Sequence, residues 1–405
     1  MTPNHSSLPS TTMDVQCETS DATPDMSFET WEDDNVNIKN KLLRGVYGYG
    51  FENPSPIQKK AIIPLSLGKD VIAQAQSGTG KTGAFTIGAL QVIDDKLNES
   101  QVLILSPTRE LSRQTHIVIS SLSVQMNVTC KLLVGGTSID EDKRDLETKP
   151  QIIIGCPGRV QDMMRRGYLK TNKIRMFVLD EADEMLSSGF KDQIYQVFQY
   201  LSSQVQVALF SATMPPELKS LTSKFMRNPV EILVKQEMLT LQGIKQYYVA
   251  VDNDEDKFLV LKDIFSMISV SQCIIYCNSI KRTEDLFSAM KMDDFPVIQI
   301  HSDMTEDERK EAYMNFKNGQ ARVLISTDLF SRGIDIQQVS VVINFDVPKS
   351  VHTYLHRIGR SGRWGRKGVG INFVTKRDMP RLTDIEKHYS TKIDELPNDF
   401  MKDAF

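Results

Sequence analysis

Short, uninterrupted runs of apolar residues alternate with longer amphipathic stretches along this chain, and the whole alternation occurs twice. Such runs are typical of strands buried on both faces, and helical connections between them join strands that run parallel. The pattern therefore predicts an α/β fold with two domains, each a mostly parallel sheet with helices on both faces. The runs of the first series are VLIL (102–105), KLLV (131–134), QIIIG (151–155), MFVLD (176–180) and VALF (207–210), and those of the second are IIY (274–276), VIQI (297–300), RVLIS (322–326), VVINF (341–345) and GINFV (370–374).

The stretch between the two series, KQEMLTLQG (235–243), is polar and ends in glycine, which indicates an interdomain linker. We expect a tail over 1–37, a first domain over 38–234 and a second domain over 244–405. A chain of 405 residues is long enough for two domains with separate cores. A cleft between two such domains is a favoured place for a ligand.

Charge is distributed unevenly along the chain. The net charge is −4, yet residues 1–37 contain eight acidic side chains and no Lys or Arg, so the remainder carries +4. A near-neutral total is therefore compatible with a polyanionic partner. The first 26 or so residues are rich in Ser, Thr, Pro and Asp and predict disorder. The tail could be an autoinhibitory mimic of a polyanionic ligand such as a nucleic acid, a partner-binding site or only a solubilising leader, and we favour the last.

The chain shows no sign of secretion, membrane insertion or a zinc site. It lacks a basic segment followed by an apolar core, and no apolar run approaches membrane-spanning length. The cysteines show no zinc-binding spacing, so we expect inert thiols in a reducing cytosol or nucleus. They are Cys17, Cys130, Cys156, Cys273 and Cys277.

A glycine-containing turn in VIAQAQSGTGKTGAF (71–85) follows an apolar strand and precedes a helix. It completes a phosphate-binding loop pattern with Ala75 in the usual first glycine position. Backbone N–H groups of such a loop point inward, Lys81 would reach the β- and γ-phosphates, and Thr82 would contact Mg²⁺. The residues that we expect to surround the triphosphate of ATP are Ser77, Gly78, Thr79, Gly80, Lys81 and Thr82.

Two carboxylates follow the apolar run in MFVLDEADEM (176–185). The carboxyl end of a strand is where an α/β sheet presents residues to a ligand. Asp180 would hold the magnesium shell, and Glu181 would orient water for attack on the γ-phosphate. Acidic residues also favour the first turn of a helix, but the phosphate-binding loop about one hundred residues upstream favours the catalytic interpretation.

Arginine and glycine alternate in LHRIGRSGRWGRKG (355–368). Glycine at every third position from 359 disfavours a helix, so a helix capped by Ser350 should end near 359–362. The spacing then places Arg360 and Arg363 on one side of a tight, exposed turn. A solvated basic loop is the alternative interpretation.

These motifs resemble those of the DEAD-box RNA helicases, and the resemblance extends from about residue 38 to the end. Residues 180–183 spell DEAD. LLRGVYGYGFENPSPIQKKAI, KFMRNPVEILVK and YSTKIDELP are most similar to the branch that acts in translation initiation. The resemblance implies two RecA-like domains that close together on ATP, Mg²⁺ and single-stranded RNA. The other motifs, in the family's order, are PTREL (107–111), GG (135–136), PGR (157–159), SAT (211–213), STD (326–328), RGID (332–335) and HRIGRSGR (356–363).

The resemblance also assigns residues to the adenine and to the rest of the nucleotide. Gln58 would read the adenine edge, which suits an amide, Phe51 would stack on its face, and Asp335 would contact the nucleotide. A further aromatic residue is expected upstream, and Phe28 and Trp31 both remain candidates.

Catalysis and coupling are assigned in the same way. Arg360 and Arg363 would reach across the cleft to the γ-phosphate as arginine fingers, whereas Arg357 would be structural. The implied catalytic residues are Lys81, Glu181, Arg360 and Arg363, and Ser211, Thr213 and His356 would couple the ATP site to the RNA path.

The RNA contacts implied by the family are small polar groups, backbone amides and a few arginines. Such groups suit phosphates and 2′-hydroxyls rather than base edges, so we expect binding without sequence preference. The positions are Thr108, Arg109, Gly136 and Arg159 in the first domain and Ser302, Asp303 and Thr327 in the second.

Four positions depart from the family pattern: Cys156 replaces Thr, Ser302 replaces Gly, Glu306 replaces Gln, and Ser331 replaces Ala. None belongs to the hydrolytic core. We expect them to affect RNA affinity and unwinding rather than ATPase chemistry.

The leading hypothesis is an ATP-dependent RNA helicase that binds single-stranded RNA and locally unwinds short duplexes in translation initiation. Alternatives are an ATP-gated clamp that holds an RNA–protein assembly, a helicase of splicing or ribosome biogenesis, and an inactive scaffold. We expect a cytoplasmic monomer, nuclear under the clamp or splicing alternative. A protein scaffold or cofactor would stimulate domain closure, with no membrane partner.

Overall fold

The computed structural model describes residues 26–75, 78–187, 189–232, 244–267, 272–328, 339–361 and 368–397. Two seven-stranded sheets with helices between their strands form the fold, and all the strand pairs recorded are parallel. The α/β architecture predicted from the apolar runs is confirmed. The predicted linker, 235–243, lies outside the described residues.

The first sheet is built by the chain from Val71 to Ile232. Its strands are β1 (Val71–Gln74), β2 (Val102–Leu105), β3 (Cys130–Leu133), β4 (Ile152–Gly155), β5 (Met176–Asp180), β6 (Gln206–Ser211) and β7 (Val230–Ile232). The helices of this part are α1 (Asn40–Gly48), α2 (Pro56–Ser66), α3 (Lys81–Val92), α4 (Arg109–Leu122), α5 (Ile139–Glu147), α6 (Pro157–Arg165), α7 (Ala182–Ser187), α8 (Lys191–Tyr200) and α9 (Pro216–Phe225). The strand order is β3-β4-β2-β5-β6-β1-β7.

The second sheet follows the same plan. Its strands are β8 (Ile244–Ala250), β9 (Gln272–Tyr276), β10 (Val297–Ile300), β11 (Val323–Ser326), β12 (Val339–Asn344), β13 (Gly368–Val374) and β14 (Asp394–Glu395). Its helices are α10 (Asp254–Met267), α11 (Ile280–Met292), α12 (Glu306–Lys317), α13 (Val351–Ile358) and α14 (Met379–Tyr389). The strand order is β10-β11-β9-β12-β13-β8-β14.

Each sheet has a hydrophobic core on both faces, which explains the uninterrupted apolar runs. In β2, Val102 and Ile104 join one core cluster, whereas Leu103 and Leu105 join the cluster on the opposite face. Alternate residues of a strand point to opposite faces, so a strand covered on both sides needs apolar residues at every position.

Two helix starts that bear on the site have local sequence explanations. Thr108 caps α4, and its Oγ1 accepts a hydrogen bond from Leu111 N at 3.3 Å. Thr305 and Glu308 form a capping box at the start of α12, with Thr305 N donating to Glu308 Oε2 at 2.9 Å. Both helices therefore begin at a fixed residue of the motif loops that precede them.

Helix α13 begins after Ser350, whose Oγ accepts a hydrogen bond from His352 N at 3.1 Å, and it ends at Ile358 with Gly359 as its C-cap. The prediction of a Ser350 cap and an end near 359–362 is confirmed.

No helix among the described residues is both long enough and apolar enough to span a membrane.

Candidate nucleotide and nucleic-acid site

Strands β1, β6 and β5 are neighbours, so their carboxyl ends meet at one edge of the first sheet. The loop after β1 leads into α3 through Gly78 and Gly80, whose φ angles are +85° and +100°. Both angles lie in the left-handed region that glycine adopts most readily. Lys81 is the first residue of α3, is buried, and places Nζ 3.4 Å from Glu181 Oε1. The structure thus brings together the predicted lysine and the predicted catalytic carboxylate.

The other loop residues differ in what the structure describes. Thr82 is half-buried in the first turn of α3, and Thr79 is exposed at the mouth of the loop. Ser77 lies outside the described residues.

The two predicted carboxylates lie at the end of β5 and are each only 2% exposed. Glu181 has a φ of +52°, an uncommon conformation for a residue other than glycine, and its N donates to Asp180 Oδ1 at 3.0 Å. Burial, together with the nearby Glu181 carboxylate, raises the pKa of Asp180 well above its usual value, and Lys81 opposes this effect. A cation near the Asp180 carboxylate would oppose this rise in its pKa.

Asp183 joins the two halves of the molecule. Its Oδ2 accepts a hydrogen bond from Thr213 Oγ1 at 2.5 Å and lies 3.0 Å from Nε2 of His356, which belongs to α13 of the second half. Asp183 N and Thr213 N both donate to Ser211 Oγ at 3.4 Å. The three residues predicted to couple ATP and RNA therefore all contact Asp183, Thr213 and His356 at its carboxylate and Ser211 at its backbone N.

Arg360 lies one turn after His356 and donates from Nε to the backbone oxygen of His356 at 3.1 Å. The prediction that it sits on an exposed turn is wrong, because Arg360 is only 3% exposed. The helix that precedes it is covered by its own sheet and also by the first half of the molecule at Asp183. Arg363 and Asp335 lie outside the described residues.

Arg357 has a structural role, as predicted. It is fully buried, and its guanidinium donates to side chains or backbone oxygens at the ends of several strands. The acceptors are Asp328 Oδ1 at 2.6 Å, Asn278 Oδ1 at 2.8 Å, Asp346 O at 2.8 Å and Asn344 Oδ1 at 3.2 Å.

The predicted adenine residues lie beside the phosphate-binding loop. Gln58 is buried near the start of α2; its Oε1 accepts from Ser55 N at 2.7 Å, and its Nε2 donates to Gly80 O at 3.3 Å. A Cβ added at Gly83 would collide with Gln58 Nε2 and would lie 3.1 Å from the Phe51 ring. Gly83, which the sequence analysis missed, therefore allows Gln58 and Phe51 to approach the first turn of α3.

Phe28 and Trp31 are both 1% exposed, and their ring centroids lie 5.7 Å apart. They pack into the same core cluster, on one face of the first sheet. Neither of the two candidates for the upstream aromatic residue presents an open ring face.

The predicted RNA positions of the first half surround the starts of α4 and α6. A Cβ at Gly135 would lie 3.2 Å from Arg109 Nη2, and Gly136 has a φ of +91°. Arg159 forms an ion pair with Asp142, and its Nη2 donates to Thr137 O at 2.8 Å.

In the second half, Ser302 and Asp303 are exposed after β10, and Ser302 Oγ donates to Asp303 Oδ1 at 3.2 Å. Thr327 follows β11 and is half-buried, and Glu306 is the first residue of α12. Among the departures from the family pattern, Cys156 is a free thiol whose pKa burial raises to about 11, in agreement with an inert cysteine. Ser331 lies outside the described residues.

Two further contacts between the halves join α4 to α12, and the sequence analysis missed both. Arg309 Nη1 lies 3.2 Å from Glu110 Oε1, with side chains 8% and 11% exposed. Gln114 Nε2 donates to Tyr313 Oη at 3.2 Å. No local sequence pattern predicts such pairs, because the partners are separated by about two hundred residues.

Comparison with known proteins identifies the family. A family model described as DEAD/DEAH box helicase matches residues 55–221, and one described as helicase conserved C-terminal domain matches residues 256–365. The chain belongs to the DEAD/DEAH box helicase family. It is 52% identical to an ATP-dependent RNA helicase eIF4A of Scheffersomyces stipitis over 366 residues, covering 90% of this chain and 92% of that protein. It is 52% identical to a eukaryotic initiation factor 4A of Caenorhabditis elegans over 364 residues, covering 90% of each. The resemblance to the initiation-factor branch is thereby confirmed.

Solved structures confirm the fold of two RecA-like domains and favour one arrangement of them. Saccharomyces cerevisiae Dbp5 bound to RNA and ADP BeF3 superimposes with a TM-score of 0.85 at 35% identity, covering 91% of this chain and 96% of that one. A Dbp5 point variant bound to Nup159, Gle1, IP6 and ADP gives only 0.59 at 33% identity, covering 91% and 97%. The two Dbp5 chains are about equally related to this one by sequence, yet this chain superimposes more closely on the RNA-bound one.

Proposed function

We propose that this protein is an ATP-dependent RNA helicase that binds single-stranded RNA without sequence preference and locally unwinds short duplexes in translation initiation. The observation that carries the proposal is the buried junction at Asp183. There His356 of the second domain lies beside the Asp183 and Glu181 carboxylates of the first, and Glu181 in turn contacts Lys81. A site assembled from both domains acts only when the domains close. Domain closure would therefore couple ATP hydrolysis to RNA binding.

The geometry of the described residues supports the hydrolytic chemistry that we propose, and the family resemblance adds Arg363 and Asp335. Lys81 would hold the β- and γ-phosphates, while Glu181, fixed beside it, would orient the attacking water. Arg360 would bring a permanent positive charge to the γ-phosphate, where charge spreads in phosphoryl transfer. Arg363 and Asp335 would complete the nucleotide site from the second domain.

Thr82 and Asp180 would hold Mg²⁺, partly through water. The fit rests on the buried carboxylates of residues 180 and 181, because a divalent cation offsets the cost of burial and the repulsion by Glu181 that together raise the pKa of Asp180. When bound, the ion would neutralise phosphate charge. The adenine would lie against Phe51 and pair with Gln58, whose amide would exchange its bond to Gly80 O for the base.

RNA would contact both domains along the starts of their helices. The first domain would contribute Thr108, Arg109, Gly136 and Arg159, and the second Ser302, Asp303 and Thr327. Helix N-termini and small polar groups bind phosphates and sugars, which supports binding without sequence preference. Arg159 would exchange part of its pairing with Asp142 for a phosphate.

The relatives support the remaining proposals. The eIF4A relatives are initiation factors, which favours a cytoplasmic helicase over a clamp. The Dbp5 complexes with Gle1 and Nup159 support a protein cofactor that acts on domain arrangement. We propose that the protein is a monomer when it acts.

The test is an ATPase assay titrated with single-stranded RNA, combined with displacement of a short RNA duplex. Wild-type protein should hydrolyse ATP faster with RNA and separate the duplex only when ATP is present. Arg360→Ala should retain ATP binding and lose about 10³-fold or more in turnover.

Arg381→Ala is the matched control, since Arg381 is half-exposed on α14 and pairs only loosely with Asp378, at 3.7 Å. ATP turnover that does not respond to RNA in the wild-type protein would refute the proposed function.

A further inference from the structure

Helices α4 and α12 contact each other across the two domains through two successive pairs of side chains. Glu110 and Gln114 are four residues apart on α4, and Arg309 and Tyr313 are four residues apart on α12, so each pair shares one helix face. Glu110 meets Arg309, and Gln114 meets Tyr313 one turn later. The two contacts therefore lie one helical turn apart along two neighbouring helices.

The order of these two contacts fixes the relative direction of α4 and α12. The earlier residue of α4 pairs with the earlier residue of α12, and the later residue pairs with the later one. The helices consequently run in the same direction, and their N-termini lie side by side. These N-termini follow Thr108 and Thr305, in the loops where RNA contacts are proposed. A contact that sets the spacing of α4 and α12 also sets the spacing of the two halves of the RNA path.

We propose that the Tyr313 hydroxyl is a positioning group of the closed state, which accepts a hydrogen bond from Gln114 and so holds the two halves of the RNA-binding surface in register. Tyr313 touches neither ATP nor RNA in this role. The proposal rests on the proposed function, because it assumes that RNA bridges the two domains.

The contact depends on domain arrangement. Gln114 belongs to the first domain and Tyr313 to the second, so their hydrogen bond exists only while α4 and α12 are adjacent. This chain superimposes more closely on Dbp5 bound to RNA and ADP BeF3 than on the Dbp5 variant bound to ADP, Nup159, Gle1 and IP6, which supports assigning the bond to the RNA-binding state. Lys317 Nζ lies 6.0 Å from the centre of the Tyr313 ring, a contact that phenylalanine would retain. Tyr313→Phe is therefore a specific test of the hydroxyl.

The experiment measures the affinity for a single-stranded RNA by Tyr313→Phe, Gln114→Leu and the double variant, with ADP BeF3 and separately with ADP. Each single variant should bind RNA about fivefold more weakly with ADP BeF3, the factor expected for one hydrogen bond. Affinity with ADP should stay within about 1.5-fold of the wild type, since the domains are not held together. The double variant should lose little more than either single variant, because both changes remove the same bond.

Steady-state kinetics separate positioning from general damage. The RNA concentration for half-maximal ATPase should rise about fivefold in Tyr313→Phe, with turnover at saturating RNA within about twofold of the wild type. Tyr195→Phe is the matched control; Tyr195 is half-exposed on α8, and its ring packs against Phe225. It should behave as the wild type.

The experiments distinguish a failure of the proposed function from a failure of the role proposed for Tyr313. Wild-type protein without RNA-stimulated ATPase overturns the proposed function. Normal stimulation in the wild type, with Tyr313→Phe binding RNA equally well in ADP BeF3 or equally poorly in both nucleotides, overturns the role of the Tyr313 hydroxyl.

Discussion

Removal of the His356 imidazole is the sharpest test of the junction between the domains. His356→Ala deletes the group 3.0 Å from Asp183 Oδ2 but keeps the backbone oxygen that accepts from Arg360 Nε. Alanine also favours the helical conformation that α13 requires. The substitution therefore removes the contact between the domains without directly removing Arg360, the proposed arginine finger.

The size of the effect follows from the burial of the pair. His356 and Asp183 are 2% and 3% exposed, and a hydrogen bond to a charged group contributes about 1.5–3 kcal/mol. Asp183 retains its bond from Thr213, so it is not left without a partner. Because the lost contact joins two domains, the cost falls on closure rather than on the folding of either domain. We expect RNA-stimulated kcat/KM to fall by about 10-fold to 150-fold.

The assay compares ATPase at several RNA concentrations with urea unfolding of the same variant. His352→Ala is the control, because His352 lies one turn earlier on α13 and its ring packs against His388 of α14. It should keep kcat/KM within about threefold of the wild type. If His356→Ala also stays within threefold, or if its loss of activity is matched by a loss of stability, the junction does not carry the coupling assigned to it.

Other substitutions test other parts of the structure. Glu181→Gln should bind ATP normally and release phosphate at least about 100-fold more slowly, which single-turnover assays would detect; normal turnover would remove Glu181 from the mechanism. Gly80→Ala should weaken ATP binding and cost about 1–3 kcal/mol of unfolding free energy in urea, because φ is +100° and the added Cβ would lie 2.9 Å from Gln58 Nε2. Arg357→Ala should lower the unfolding free energy by about 1–3 kcal/mol, since buried acceptors such as Asn344 Oδ1 lose their guanidinium donor. The exposed Arg381→Ala should change it by no more than about 0.5 kcal/mol, and equal losses would contradict the argument from burial.

The sheets and much of the nucleotide site could be predicted from the sequence because they depend on local patterns. Uninterrupted apolar runs predict strands that are buried on both faces, and the carboxyl ends of parallel strands lie at one edge of the sheet. Lys81 and Glu181, one hundred residues apart, are therefore expected to meet, and they lie 3.4 Å apart. The end of α13 was predictable for the same reason, since glycine spacing is a local signal.

Contacts between the domains could not be predicted in this way. Periodicity shows which face of α4 or α12 is apolar but contains no information on which helix lies opposite. The exposure of Arg360 was misjudged for this reason. Phe28 and Trp31 both stayed open for a different reason: either ring satisfies the aromatic pattern, and both pack into the core.

Helix α13 explains why the site is complete only in the closed arrangement. Residues 354–358 are five consecutive buried positions, whereas a helix packed on a single sheet buries one face and exposes the other. Leu355 and Ile358 belong to the core of their own sheet, and Arg357 is held by the strand ends around it. His356 points the other way, towards Asp183. The second domain alone explains the burial of Leu355, Arg357 and Ile358, but the burial of His356 requires the first domain. One face of this short helix thus packs against its own domain, and the other completes the candidate nucleotide site. Domain closure therefore brings His356 and Arg360 to that site together.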